Sequence, residues 1–463
     1  VLGEGEETFA ETLITRLSSN YAGGRNHKPR IEDLSKLPSP YLAGIFDSLL
    51  THYPDLKFHA TSETHRGCPY QCTFCDWGSA IYTKVRAFPD SRVEAEYIWM
   101  AEHKIELVYN ADANFAMLPR DEALIDYLIN LKASWGYPKQ IRAAWAKDST
   151  KRTFQIAAKL QAAGMNKGVT LALQSLYEPT LKAIKRQNIK WTDWQALAKQ
   201  YQESQVATYT ELIMGLPEET LETFKAGIDQ LLEAGQHNGL NIYFCSLLPN
   251  AEMTTPAYRN KYGLKSHTIP LLQAHASITP NEITEYGKYV VKTKTADVLD
   301  LATFAWAVQT FHTMGLTQWL ARKAFEKGIK YSAFYKGLLD YRMDLPADNA
   351  FEQEYRYARG TLMHPLSLGN QNPLVVSDSR FGNIYWPLEE MTYLRIMARG
   401  VGYFYEAIEP WLKTLGLERE IDTQAAMLRT PDEFEGDLER YAKEVVWFGR
   451  KGGFFLKEPI SAH

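Results

Sequence analysis

Cysteine is scarce: four occur in 463 residues, and three of them sit together between positions 68 and 75. A disulfide framework needs more cysteines in fewer residues, so this economy predicts a reducing, cytoplasmic setting. Long apolar runs are missing too: none approaches the roughly 18–20 residues of a membrane span, so no membrane is expected. The 51 Lys and Arg are matched by 55 Asp and Glu, leaving a net charge of −4 with no long basic run, and nucleic acid is not the expected partner. The start, VLGEGEETF, has neither an initiator Met nor the pattern of a signal peptide, which predicts that the sequence begins inside a longer native chain. No low-complexity tract and no repeat beyond a strand–helix unit occurs. Without a clear acid–base dyad, hydrolytic chemistry has the least support.

What is present is ordinary in bulk: 45% hydrophobic and 23% charged residues, in a length that holds two or three domains with sizeable cores. Residues 1–50 read as a helical segment and linker, with Phe9, Leu13, Ile14 and Leu17 at helical spacing. From residue 51 to 265, strand patterns alternate with helix patterns. Strands are expected at 58–63, 105–110, 141–146, 168–174, 207–214 and 241–248, with helices near 90–103, 119–134, 151–163, 177–186 and 219–234. Such alternation predicts an α/β fold of parallel units with right-handed crossovers, curled into an open six-stranded (β/α)6 partial TIM barrel. Residues 266–463 read as a mainly helical C-terminal domain, with long helices over 297–314, 316–334, 387–415 and 430–447. Its many Tyr and Trp are assigned to core and not to a cofactor.

The chemistry concentrates in Thr64–Ser79, THRGCPYQCTFCDWGS, where Cys68, Cys72 and Cys75 form a CxxxCxxC triplet. Three close thiolates can hold three irons of a 4Fe–4S cubane and leave the fourth iron open to a substrate. The other readings are a zinc knuckle, a disulfide with a spare thiol, or three buried cysteines. A zinc knuckle needs a fourth ligand, and His65 is too close on the wrong side to supply an obvious one. The spacing, with Phe74 before the third cysteine, resembles the signature of the radical S-adenosylmethionine (SAM) superfamily. The segments DANF, QS, ELIMGLPEET and SLLPNAEM follow in the order seen in radical SAM enzymes related to cobalamin-dependent methyltransferases and to peptide-modifying enzymes. That resemblance covers residues 35–260 well and the C-terminal domain weakly. The GEGE start and the segment LPSPYLAGIFD resemble the end of a cobalamin-binding domain, although a simple cap helix fits the same residues.

The resemblance implies SAM bound at the open iron, an external electron donor, and a 5′-deoxyadenosyl radical that takes hydrogen from a peptide or small natural-product precursor. It implies SAM-binding roles at the strand ends. Asp112 and Asn114 would accept from the methionine ammonium, Lys147 would pair with the carboxylate, Gln174 and Ser175 would bond the ribose or carboxylate, and Glu211 would point along the barrel. NADANF departs from the family's usual GE-type motif there. Each residue has a plainer alternative as a loop or helix-cap position. Cys245, in NIYFCSLLPN, falls by alternation on one face with Tyr243 and Leu247. A thiol facing the cavity would return hydrogen to a carbon radical, as in the superfamily's peptide epimerases; a buried packing residue is the alternative. Two functions follow: epimerisation with Cys245 as hydrogen donor, or cobalamin-dependent methyl transfer, in which Cys245 only packs.

Overall fold

The computed structural model describes residues 31–77, 84–146, 151–166, 168–237, 239–278, 285–447 and 456–457, together with residues 6, 9–11 and 13–14. The chain divides into two units, Val1–Val169 with Pro249–Glu252, and Thr170–Leu248 with Met253–His463.

The first unit is built on a parallel sheet of β1 (His59–Ser62), β4 (Leu107–Phe115) and β5 (Gln140–Trp145), in the order β1-β4-β5. Helices α1 (Asp90–Glu102), α2 (Asp121–Trp135) and α3 (Lys151–Ala162) follow the strands in turn. Side chains alternate between the sheet faces, as strand geometry requires. Ala60, Val108, Ile141 and Ala143 are buried, while Thr61, Tyr109 and Arg142 are exposed. The helices bury apolar faces at helical spacing: Val93, Tyr97 and Met100 in α1, Leu124 and Leu128 in α2, Ile156 and Leu160 in α3. Between β1 and α1 lies a two-residue antiparallel ribbon absent from the sequence expectation. In it β2 (His65–Arg66) pairs with β3 (Arg86–Ala87) and closes the base of the cysteine loop.

The second unit begins with β6 (Val169–Thr170), β7 (Thr208–Met214) and β8 (Leu240–Phe244), in the order β6-β7-β8. Helices α4 (Glu178–Ala183), α5 (Trp191–Glu203) and α6 (Leu221–Glu233) alternate with them. Among the described residues the expected single sheet is therefore two sheets of three. The strand expected over 168–174 is regular only at Val169–Thr170. Leu171 and Leu173 still donate to the carbonyls of Tyr209 and Glu211, but Gln174 turns left-handed at φ 65° and ends the extended run.

Beyond the strands the unit is mainly helical, apart from two antiparallel strand pairs, the smaller of them Val375–Val376 with Trp386–Pro387. β9 (Lys265–Pro270) and β10 (Tyr286–Lys292) form an antiparallel hairpin where no strand was expected. The helix expected over 297–314 is nearly continuous, as Val298–Ala307 followed by a π-helical stretch at Val308–Thr313. The other long helices are broken. Gly328 (φ 85°) separates Gln318–Glu326 from Tyr331–Tyr341, and Gly400 (φ 91°) separates Leu388–Arg399 from Gly402–Thr414, since left-handed backbone cannot continue a helix. Within 430–447 a 3-10 turn at Pro431–Phe434 is separated by Gly436 (φ 76°) from a helix that runs over Leu438–Tyr441 and continues as a π-helical stretch at Ala442–Trp447. A further helix, Ala350–Leu366, was not expected. The aromatic residues pack as core: Phe311 stacks on Phe404 with ring centroids 5.5 Å apart and meets Phe351 edge-on. Among the described residues no helix is long and apolar enough to cross a membrane.

Candidate cofactor site

The cysteine loop leaves the carboxyl end of β1 and is fixed there by Asp112. Five positions along β4, from Asn110 to Phe115, span only two along β5, from Ala143 to Trp145, so NADANF bulges out of register. Bulges re-aim side chains, and this one turns the Asp112 carboxylate toward the chain that enters the loop. Its Oδ1 accepts the backbone N–H groups of Thr64 (2.7 Å) and His65 (3.0 Å). Its Oδ2 accepts the Thr64 hydroxyl (2.5 Å) and the Asn110 amide (3.0 Å), and lies 3.2 Å from His65 Nδ1. Burial pushes the carboxyl up, but the hydrogen bond and charge of His65, with the bonds from Thr64, outweigh it and hold it below the usual value. Asp112 is thus committed to the loop's entry.

Asn114, from the same bulge, donates its side-chain amide to Cys68 Sγ at 3.2 Å. Its Oδ1 is buried with no hydrogen-bond partner among the described residues. Cys68 and Cys72 are buried, Cys75 is half-buried, and none is in a disulfide; the Cys75 N–H donates to the Cys72 carbonyl. After Cys75, burial raises the Asp76 carboxyl above its usual value against a backbone bond from Asn250. This donor set fits a cubane cluster. Each cubane thiolate takes a different iron, so the three sulfurs need not meet at one point. Among the described residues no three His, Cys, Asp or Glu side chains are grouped to hold a single metal ion.

The second unit holds the other expected residues. The left-handed Gln174 is clamped between Glu211 and Ile213 of β7: its N–H donates to the Glu211 carbonyl and its carbonyl accepts from Ile213. Its side-chain Oε1 is buried without a partner among the described residues. Ser175 donates its hydroxyl to Glu219 Oε1 at 2.7 Å. Glu219 was missed in the sequence. Burial pushes its carboxyl up to about 7 against the Ser175 bond, and its Oε2 has no partner among the described residues. The signal was the second acid of GLPEET, a carboxylate just before a helix cap at a strand end. Glu211 is half-buried on β7. Arg186 donates to the Ala172 carbonyl and to Asn188 Oδ1, and Asn188 returns a bond to the Ser175 carbonyl, which ties down KRQN. Beside them is a cavity of about 410 Å³ lined by Leu173, Leu181, Arg186, Asn188, Trp191 and Gln230. Gln174 and Ser175 therefore sit at the end of the extended run after β6, beside the backbone of Glu211 midway along β7. Lys147 lies outside the described residues.

Cys245 follows β8. Regular β8 pairing ends at Phe244, although the Cys245 N–H still donates to the Met214 carbonyl; Tyr243 is 48% exposed, Cys245 only 1%. The thiol packs 3.4 Å from the Met253 sulfur, and burial pushes it up to about 12. A Cβ on Gly215 (φ 85°) would lie 3.0 Å from Val298 and 3.7 Å from Cβ of Cys245, so the glycine lets the backbone approach this packed spot.

The model for the radical SAM superfamily matches residues 62–231. The chain is 36% identical over 451 residues to the cobalamin-dependent radical SAM methyltransferase TokK of Streptomyces tokunonensis, covering 90% of this chain and 65% of that protein. It is 34% identical over 459 residues to the 2-(S-pantetheinyl)-carbapenam-3-carboxylate methyltransferase of Streptantibioticus cattleyicolor, covering 92% of this chain and 67% of that one. The chain thus spans about two thirds of the length of these curated relatives. Among solved structures, the cobalamin-dependent SAM radical enzyme OxsB aligns over 97% of this chain and 68% of its own at 13% identity, with a TM-score of 0.48.

Proposed function

The chain belongs to the radical SAM superfamily, whose cofactors are a 4Fe–4S cluster and SAM, and from that premise we propose that it is a cobalamin-dependent methyltransferase acting on carbon of a small natural-product precursor. The observation that carries this reading is the reach of the similarity. Two methyltransferases match over nine tenths of the chain, through the helical region as well as the barrel segments. Neither is an epimerase, and the packing of Cys245 against Met253 supplies no separate support for that reaction. In this reading residues 51–265 are an open six-stranded partial barrel, 266–463 a helical domain beside it, and 1–50 a linker from a cobalamin-binding domain.

When bound, the cluster would supply an electron, SAM a methyl group and a hydrogen-abstracting radical, and cobalamin a carrier for the methyl. The protein's part is placement. Cys68, Cys72 and Cys75 would hold three irons, and Asn114 directs an N–H at the sulfur of Cys68, a contact of the kind that tunes a cluster's potential. Asp112 acts through the loop and not on SAM, because its oxygens are already occupied by Thr64, His65 and Asn110. In the second unit the side-chain oxygens of Gln174 and Glu219, buried without partners among the described residues, would accept from hydroxyl or ammonium groups of SAM. Glu211, midway along β7, is a further candidate, and Lys147 would pair with the SAM carboxylate.

The test is anaerobic reconstitution with iron, sulfide and a corrinoid, then incubation with SAM, reductant and a carbapenam-3-carboxylate thioether. Methylated product with S-adenosylhomocysteine and deoxyadenosine supports the reading. Inversion of a centre in a peptide, with no corrinoid bound and no methyl transferred, sinks it.

A further inference from the structure

A parallel sheet is normally covered on both faces, yet one face of the β1-β4-β5 sheet lies open. One row across it is Thr61, Tyr109 and Arg142, in register on neighbouring strands. Tyr109 is 44% exposed although it sits in the central strand. The Arg142 guanidinium lies 5.8 Å from the centre of the Tyr109 ring and makes no hydrogen bond or ion pair among the described residues. Further along this face, toward the cysteine loop, Ala144 follows on β5 and leaves room above the strand.

We propose that this open face seats the substrate and that Arg142, beside Tyr109, binds a carboxylate which the substrate carries. The inference rests on the small-molecule reading above and adds the residue that selects the substrate. The guanidinium has no ion pair among the described residues, and its fork of donors matches a carboxylate. The Tyr109 ring beside it offers a cation–π contact that favours its charge at this place. One guanidinium matches the single charge of a carboxylate, where a dianionic phosphate would call for a second lasting cation. Thr61, the third member of the row, contributes its backbone to Tyr41, whose hydroxyl donates to the Thr61 carbonyl at 2.6 Å and accepts its N–H at 2.9 Å, so the edge of the seat is fixed.

The test is equilibrium binding by calorimetry to the full chain, using the carboxylate of the assay above, its carboxamide and its methyl ester. The wild type is expected to prefer the carboxylate by about 10-fold or more, the scale of a hydrogen bond to a charged group. Arg142→Gln erases the preference, and Arg142→Lys keeps part of it as a point charge. Arg142 is exposed and unbonded, so the substitutions leave the fold in place. A wild type that shows no preference, or binds none of the three, overturns the assignment, as does Arg142→Gln with its preference intact. Failure of the methyl-transfer reading looks different: the preference persists while no methyl appears in the product.

Discussion

The side-chain amide of Asn114 points its N–H at the sulfur of Cys68, 3.2 Å away, and both groups are buried. A hydrogen bond to a cluster sulfur stabilises the more negative, reduced state. Asn114→Ala is therefore expected to make the reconstituted cluster harder to reduce, by several tens of mV for a bond worth about 1 kcal/mol. A redox titration followed by electron paramagnetic resonance reads the shift, and an unchanged potential removes Asn114 from this role.

Asp112 holds the entry to the loop, so its loss is structural. Asp112→Ala leaves the buried amides of Thr64 and His65 without an acceptor and is expected to cost about 3–5 kcal/mol and most of the iron incorporated. The carboxyl sits below its ordinary 3.8, so its contribution is complete above about pH 4 and is lost as pH falls through the folded value. Chemical unfolding at pH 3 to 5 should show a steeper acid limb in the wild type than in Asp112→Asn.

Glu219 has the opposite sign. Its folded value of about 7 lies above the ordinary 4.5, so the folded chain holds a proton that the unfolded chain releases. Stability without cofactors should fall between about pH 4.5 and 7, by roughly 3 kcal/mol, and then level off. Glu219→Gln should flatten this decline, and a wild type equally stable at pH 5 and pH 8 contradicts it.

A buried histidine pair sets another limit. His237 Nδ1 lies 3.0 Å from His312 Nε2, and His312 Nδ1 lies 2.7 Å from the Tyr335 hydroxyl. Burial, with the charge of Arg322, pushes His237 down to about 3; burial, then His237 and Arg322, hold His312 well below its usual value. Both stay neutral when folded, so their contribution is complete above about pH 6.5 and declines below it, by about 1.4 kcal/mol per pH unit for each ring. His237→Gln should reduce that slope between pH 6.5 and 4 in a thermal unfolding series.

Cys245→Ala tests the assignment of that thiol to packing. Loss of the contact with Met253 should cost about 1–2 kcal/mol and leave methyl transfer at the wild-type rate. Methyl transfer abolished in a folded variant with its cluster would give the thiol a chemical role.

The parts of the molecule legible in the sequence are those with a strong local signal. The CxxxCxxC spacing announces its chemistry by itself, and strands such as Leu240–Phe244 show as short, mostly apolar runs next to a glycine. Other features carry no such signal. The pairing of His65–Arg66 with Arg86–Ala87 is too short to leave a periodicity, and the β4 bulge depends on which residues β5 presents. Asp112 and Asn114 read as a pair aimed at one ligand, while the bulge sends one to the loop's backbone and the other to Cys68. The surroundings of Cys245 were not legible, because the thiol's neighbour Met253 comes from a later turn of the chain. The long C-terminal helices were over-extended because a glycine such as Gly400 fits a helical pattern until its φ is known.

The ribbon of β2 and β3 has a consequence for how the protein is assembled. It ties both ends of the cysteine loop to each other, and the carboxylate of Asp112 anchors the same point, so the loop is a closed ring hung on a finished sheet. The cost of bringing its ends together is met by backbone pairing and not by iron. Folding and metal loading are then expected to be separable: the chain without iron should already unfold cooperatively, and it should do so again after its cluster has been lost to oxidation.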